Sequence, residues 1–152
     1  FQAPAPGHVH FSMNTLLSNR DSIASALSST VYDSPALVPP SPWLDNKPPQ
    51  PPVCSASVSA DTLALTWSHP NCADVFRWAV QLKTDGRWRT ELLSSTTRTY
   101  RFPLTKERLV TAASDTCEAV TETVPLHVSK AALRAVDRTG NMSEPVTVNI
   151  SR

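Results

Sequence analysis

The chain has 152 residues, room for one ordinary domain plus a small appendage. Its 14 Lys and Arg nearly balance 13 Asp and Glu, so composition gives no general attraction to nucleic acid or to an anionic membrane surface. No apolar run approaches the ~20 residues that span a bilayer, and no charged-then-apolar leader opens the chain at Phe1, so it is expected to be a piece of something longer.

In chain order, residues 7–14, Gly-His-Val-His-Phe-Ser-Met-Asn, alternate loosely and read as one short strand. Asn19 or Asp21 can then cap a helix over about residues 22–31, whose apolar positions Ile23, Ala26, Leu27 and Val31 follow helical spacing. Pro35 stops it, because the residue before a proline is pushed out of α geometry. One strand and one amphipathic helix cannot cover each other's faces, so this βα unit requires neighbours. Proline is the unusual entry in the composition, 14 residues against three glycines. Eight of the prolines fall between residues 35 and 52, and residues 34–52 read as an extended, semi-rigid connector. Trp43 and Leu44 are too apolar for a free linker and are expected to pack on one of the flanking units.

From residue 53 the pattern changes to short alternating runs separated by turn signals, as in an all-β sandwich. Val53–Ser59 reads as a first strand. In Thr62–Ser68, Leu63, Leu65 and Trp67 share one face; in the next run, residues 76–84, Phe76, Trp78, Val80 and Leu82 do the same, with Arg77, Gln81 and Lys83 outward. Asp85-Gly86 is the strongest hairpin turn in the chain, because a type I′ turn needs positive φ at both central residues. Residues 87–93 return as the partner strand, and 97–104 form a strand that Pro103 breaks or places at an edge. Residues 105–127 are ambiguous between a short helix, an extra strand and an irregular insertion. Residues 128–136 and 146–150 supply the last strands, joined by a tight turn at 137–141. About seven strands in 100 residues is the size of an immunoglobulin-like sandwich.

Two strings then carry a resemblance. Ala131-Ala-Leu-Arg-Ala-Val-Asp-Arg-Thr-Gly-Asn-Met-Ser143-Glu-Pro145 resembles the end of fibronectin type III domains, and Leu63-Ala-Leu-Thr-Trp67 resembles their second strand with its buried Trp. Ala131 departs from the pattern, since many members carry a corner tyrosine there. Gly7-His-Val-His-Phe-Ser-Met13, together with Tyr32-Asp-Ser-Pro-Ala-Leu-Val-Pro-Pro-Ser-Pro-Trp-Leu-Asp45, resembles the end of bacterial glycoside-hydrolase-like family ten. That resemblance implies residues 1–33 as the last βα unit of a TIM barrel, 34–52 as connector and 53–152 as the fibronectin type III-like sandwich. It also implies a cell-envelope location, periplasmic or as an outer-membrane lipoprotein, and a polysaccharide substrate for the parent protein, such as the glycan of peptidoglycan.

Chemistry is not expected from this segment by itself. Glycosidases hold two carboxylates across the scissile bond, and residues 1–52 contain no Glu. Their Asp21, Asp33 and Asp45 fall at a helix cap, in a loop and in the connector. The catalytic pair is expected upstream, with the missing barrel as the main partner and no cofactor. On the barrel reading Ser12 and Asn14 reach the active-site rim, either touching substrate or serving as plain strand-end polar residues. Trp88, between Arg87 and Arg89, is a candidate glycan-stacking aromatic, whereas alternation makes Trp78 core. His8 and His10 share a strand face but lack a third ligand, so no metal is expected. His69-Pro-Asn-Cys72 reads as turn chemistry, and Cys72 can bridge Cys117 in an oxidising compartment. Asn141-Met-Ser143 matches a glycosylation sequon but is better read as the turn itself. Two functions are weighed: a non-catalytic C-terminal part of a glycan hydrolase, and a stand-alone extracellular interaction or carbohydrate-binding module.

Overall fold

The computed structural model describes residues 12–32, 35–111 and 120–150. The chain divides into two compact units, Phe1–Ala36 and Leu37–Arg152.

The described part of the first unit is helical. Helix α1 covers Met13–Leu17, a 3₁₀ turn follows at Arg20–Ser22, and α2 covers Ile23–Ser29. The strand expected over 7–14 is therefore corrected at Met13 and Asn14, while residues 7–11 lie outside the described residues. A strand needs a neighbour for its N–H and C=O groups; α1 closes these locally, Ser18 N–H donating to the Asn14 carbonyl at 2.9 Å. Asn19 does cap α2. Its Oδ1 accepts the N–H groups of Ala24 (2.9 Å) and Ser25 (3.1 Å), two of the donors that a helix start leaves unpaired. The helix ends at Ser29, short of the expected residue 31, and while Ala24 and Leu27 are partly buried, Ile23 within it and Val31 beyond it are exposed.

The second unit is a mainly β sandwich built from antiparallel sheets. One sheet has the order β1-β2-β5, with β1 at Val53–Ser59, β2 at Thr62–Ser68 and β5 at Thr99–Pro103. The other has the order β4-β3-β8-β9, with β3 at Arg77–Thr84, β4 at Arg87–Ser94, β8 at Val128–Val136 and β9 at Val146–Asn149. Three strands thus face four, the layering of an immunoglobulin-like domain. Pro103 ends β5, an edge strand, where a missing N–H costs no ladder bond. Within residues 105–127, ambiguous in sequence, β6 (Thr105–Thr111) pairs antiparallel with β7 (Val120–Pro125) as a separate two-stranded sheet. It is rooted where Leu104 N–H donates to Asp61 O and Leu126 N–H donates to Leu104 O, both at 2.7 Å.

Alternation explains the core. Leu63, Leu65 and Trp67 of β2 meet Trp78, Val80 and Leu82 of β3 and Ala131, Leu133 and Ala135 of β8. Large side chains of this kind each stabilise by about 1.5–3 kcal/mol when fully buried. Trp67 and Trp78 pack edge-to-face at 5.8 Å between centroids, a geometry that brings a positive ring edge to a negative face. Trp78 Nε1 donates to Ser95 O at 3.2 Å, while the buried Nε1 of Trp67 has no hydrogen-bond partner among the described residues. Phe76 breaks the expected pattern and is 41% exposed. The strand begins only at Arg77, a bend at Phe76 interrupts the alternation, and the neighbouring Val75 takes the buried position.

The proline-rich segment does not behave as a spacer. From Leu37 onward it belongs to the sandwich unit. Ser41 N–H donates to Thr139 O (2.8 Å), Asn141 Nδ2 donates to Asp45 O (3.0 Å), and His69 Nε2 bonds Gln50 O (2.7 Å). Pro49 and Pro52 are buried. Trp43 and Leu44, expected to be packed, are instead 79% and 72% exposed. Backbone bonds and buried prolines fasten the segment, so these two side chains are left pointing to solvent.

Candidate functional site

The 137–141 turn is the structural centre of one end of the sandwich. Asp137 is buried, and its Oδ1 accepts Thr139 N–H (2.8 Å), Thr139 Oγ1 (2.9 Å) and Asn141 N–H (2.9 Å). Its Oδ2 accepts Asn141 Nδ2 at 2.9 Å. Burial by itself would raise this carboxyl, but the side-chain and backbone hydrogen bonds from Asn141 and Thr139 outweigh it and hold the group below its ordinary value. The buried amide of Asn141 is saturated by Asp45 O, Asp137 and Thr139. The sequon residue is thus part of the turn.

Around this turn lie two cavities that share Phe76, Asp137 and Arg138. One, of about 270 Å³, is polar and lined by Asp45, Asp74, Ser95 and Thr139 as well. The other, of about 410 Å³, is apolar and adds Leu37, Val38, Leu92 and Val136, with Arg77 and Gly140. Phe76 N–H donates to Val136 O at 2.8 Å, which fixes the residue at the strand end. The guanidiniums of Arg77 and Arg138 lie 5.2 and 5.1 Å from the Phe76 ring centroid, within cation–π range. Ion pairs among the described residues join Arg20 to Asp21, Lys106 to Asp85 and Arg108 to Glu122, and none of them involves Arg77 or Arg138.

The residues singled out from sequence are scattered. Ser12 and Asn14 stand at the start of α1 in the first unit, where their carbonyls accept Thr15 and Ser18 N–H. Trp88 is 51% exposed on β4, opposite Lys83, and lines neither cavity. Cys72 is exposed in a 3₁₀ turn at Cys72–Asp74; its thiol donates to His69 O at 3.4 Å and lies 3.1 Å from Arg98 Nη2. The expected Cys72–Cys117 bridge has one end, Cys117, outside the described residues, as are His8 and His10. Cys54 packs beside the core, and burial pushes its thiol pKa up. Sequence reasoning set Arg77 outward, as found, but counted Phe76 as core and did not single out Arg138. The available signal was the adjacent apolar pair Val75-Phe76, since two consecutive strand residues cannot both face one core.

The described residues thus define an immunoglobulin-like sandwich module with a mixed apolar, aromatic and charged groove at one end. No family model matches the chain. A 46-residue stretch, 30% of this chain, is 48% identical to the glycosyl hydrolase YngK of Bacillus subtilis and spans only 9% of that relative. The Clostridium perfringens spore cortex lytic enzyme SleM is a distant structural likeness, 15% identical over 69% of this chain and 29% of that one, with a TM-score of 0.44. A protein described as a myokine is similar over 70% of this chain and 100% of its own, at 18% identity and a TM-score of 0.41. The sequence match supports a glycosidase-related origin. No helix among the described residues is long and apolar enough to cross a membrane.

Proposed function

We propose that this chain is the non-catalytic C-terminal part of a glycosidase-like hydrolase acting on cell-envelope polysaccharide, such as the glycan of peptidoglycan. The sandwich serves in it as an accessory domain that packs beside a catalytic barrel. The observation that carries this reading is the 48% identity to a much longer glycosyl hydrolase. The exposed apolar residues Ile23, in α2, and Val31, beyond its end, support it, because both gain stability when a neighbouring surface covers them. The parent protein acts in the cell envelope, and Ser12 and Asn14 contribute to the rim of its substrate cleft. The self-contained core of residues 37–152 favours a second reading, a stand-alone interaction or carbohydrate-binding module.

One experiment separates the two. The gene's full product, and a version lacking residues 37–152, are incubated with purified peptidoglycan while released reducing ends are counted. The hydrolase reading expects release by the full product, loss of thermal stability in the shortened form, and no release by the 152-residue chain added separately. A full product without upstream sequence, or one inert on every envelope glycan tried, overturns it in favour of the module.

A further inference from the structure

Four strands form the margins of the two facing sheets, β1 and β5 on one, β4 and β9 on the other. A sheet margin presents unpaired N–H and C=O groups, and proteins blunt it with charge, proline or short length. Three of the four are blunted. β4 carries Arg87, Arg89 and Glu91, β5 carries Arg101 and ends at Pro103, and β9 has only four residues, directly after Pro145. β1 is not. Its seven residues, Val53–Ser59, include neither a charge nor a proline, and they pair with β2 without a bulge. The free side of this strand has no backbone hydrogen-bond partner among the described residues.

Side chains alternate along β1. Cys54 and Ala56 pack against the core, whereas Val53, Ser55, Ser57 and Ser59 are exposed. Val58 lies on the core side by alternation, yet it is 38% exposed. Between β1 and β9 runs a cleft of about 280 Å³, lined by Ala56, Val58, Val148, Asn149 and Ile150. The margin therefore sets open backbone groups beside half-covered apolar side chains. An added strand satisfies the first and covers the second.

We propose that the free edge of β1 pairs antiparallel with β1 of a second copy of this chain, joining two three-stranded sheets into one of six strands. The sequence of the strand selects this occupant. About a two-fold axis at Ala56, Ser55 lies opposite Ser57 of the second copy, Val53 opposite Ser59 and Cys54 opposite Val58. Ala56 meets its own counterpart. Each residue keeps the face it already occupies, and no like charges are set against each other. Hydroxyl pairing across strands is already a feature of this sheet, where the Ser55 and Thr66 hydroxyls lie 2.8 Å apart, and a hydroxyl retains further acceptor capacity. An unrelated peptide finds no charge on this strand to select it. The inference stands whether or not the hydrolase reading does.

The test follows the mass of the 152-residue chain by sedimentation under reducing conditions. The series runs from about 10 µM to about 1 mM, which brackets the Kd on the order of 100 µM expected of so small an interface. The expected result is a reversible dimer. Amide hydrogen exchange should slow with concentration within residues 53–59 and stay unchanged within 99–103, the opposite margin of the same sheet. Ser55→Lys combined with Ser57→Lys sets ammonium against ammonium on both sides of the axis and is expected to weaken the dimer roughly tenfold. Ser55→Lys combined with Ser57→Glu sets opposite charges at the same places and is expected to restore it. Both positions are exposed, and an unchanged Tm reports that each variant folds. A chain that stays monomeric throughout the range, a dimer indifferent to the two lysines, a charge swap that restores nothing, or protection centred on another strand each overturns the proposal.

Discussion

Two turns of the sandwich look alike in sequence and behave differently. Asp85-Gly86 and Asp137–Asn141 both begin with Asp, contain a glycine of positive φ (+82° at Gly86, +86° at Gly140) and join antiparallel neighbours. At Gly86 a Cβ would meet nothing within 4 Å, and Asp85 sits at the surface beside Lys106. At Gly140 a Cβ would lie 2.8 Å from Pro39 O and 3.1 Å from Val38 O. The first turn reverses the chain with an open glycine and is tied to the rest of the sandwich through Asp85, whose N–H donates to His127 O at 3.0 Å and whose Oδ1 accepts His127 N–H at 3.4 Å. The second is the point where the proline-rich segment, the last long strand and the groove are held together. The same local code therefore carries different weight according to what the fold places against it.

The largest effect should come from Asp137→Ala. It removes the acceptor of four hydrogen bonds inside a buried turn, at a cost of about 3 kcal/mol for charge-assisted bonds and stranded donors. Calorimetry should show Tm falling by roughly 10 °C for a chain of this size. A change within a degree or two would mean that the turn is as independent as the one at Gly86.

Gly140→Ala comes next. A methyl group there meets backbone oxygens that cannot rotate away, and alanine resists positive φ, for an expected loss of about 2 kcal/mol. The accompanying sign is faster proteolysis within residues 37–45, as the displaced segment loosens. Wild-type protease resistance in that variant would break the link between turn and connector.

Acid sharpens the same contrast. Because the Asp137 carboxyl is held below its ordinary value in the folded protein, its contribution is complete above the unfolded value near about 4. It disappears as pH falls through the lower folded value. Denaturant midpoints followed from pH 6 to pH 2 should therefore drop more steeply for wild type than for Asp137→Asn. Parallel curves would remove Asp137 as the acid-sensitive group.

The smallest effects belong to the open turn. Gly86→Ala should cost about 1 kcal/mol through backbone strain alone, without any clash. Asp85→Asn should change stability by about 0.3 kcal/mol, since its 3.5 Å pair with Lys106 is half exposed. Urea melts resolve the first and should barely register the second.

Much of the sandwich was legible before any coordinates. Period-two alternation located β1 to β4, β8 and β9 to within a residue or so, and Asp85-Gly86 marked its hairpin, because strand pattern and turn conformation are written in neighbouring residues. The helix cap was legible only as a choice between Asn19 and Asp21, and the structure sets Asn19 Oδ1 on the Ala24 and Ser25 N–H groups. The candidate groove was not legible. Its walls come from residues 37–45, 73–77, 92–95 and 136–140, which no local periodicity relates.

What the sequence by itself determined is the β architecture from residue 53, its hairpin and the burial of Trp67 and Trp78, because each follows from which side chains lie two positions apart. Only the tertiary structure decided that the prolines form part of the sandwich, that Trp43 and Leu44 face solvent, that β6 and β7 pair in a sheet of their own, and that Phe76 turns outward between two arginines. These depend on which distant backbone groups and charges come to lie together, and a chain read one neighbour at a time carries no record of that.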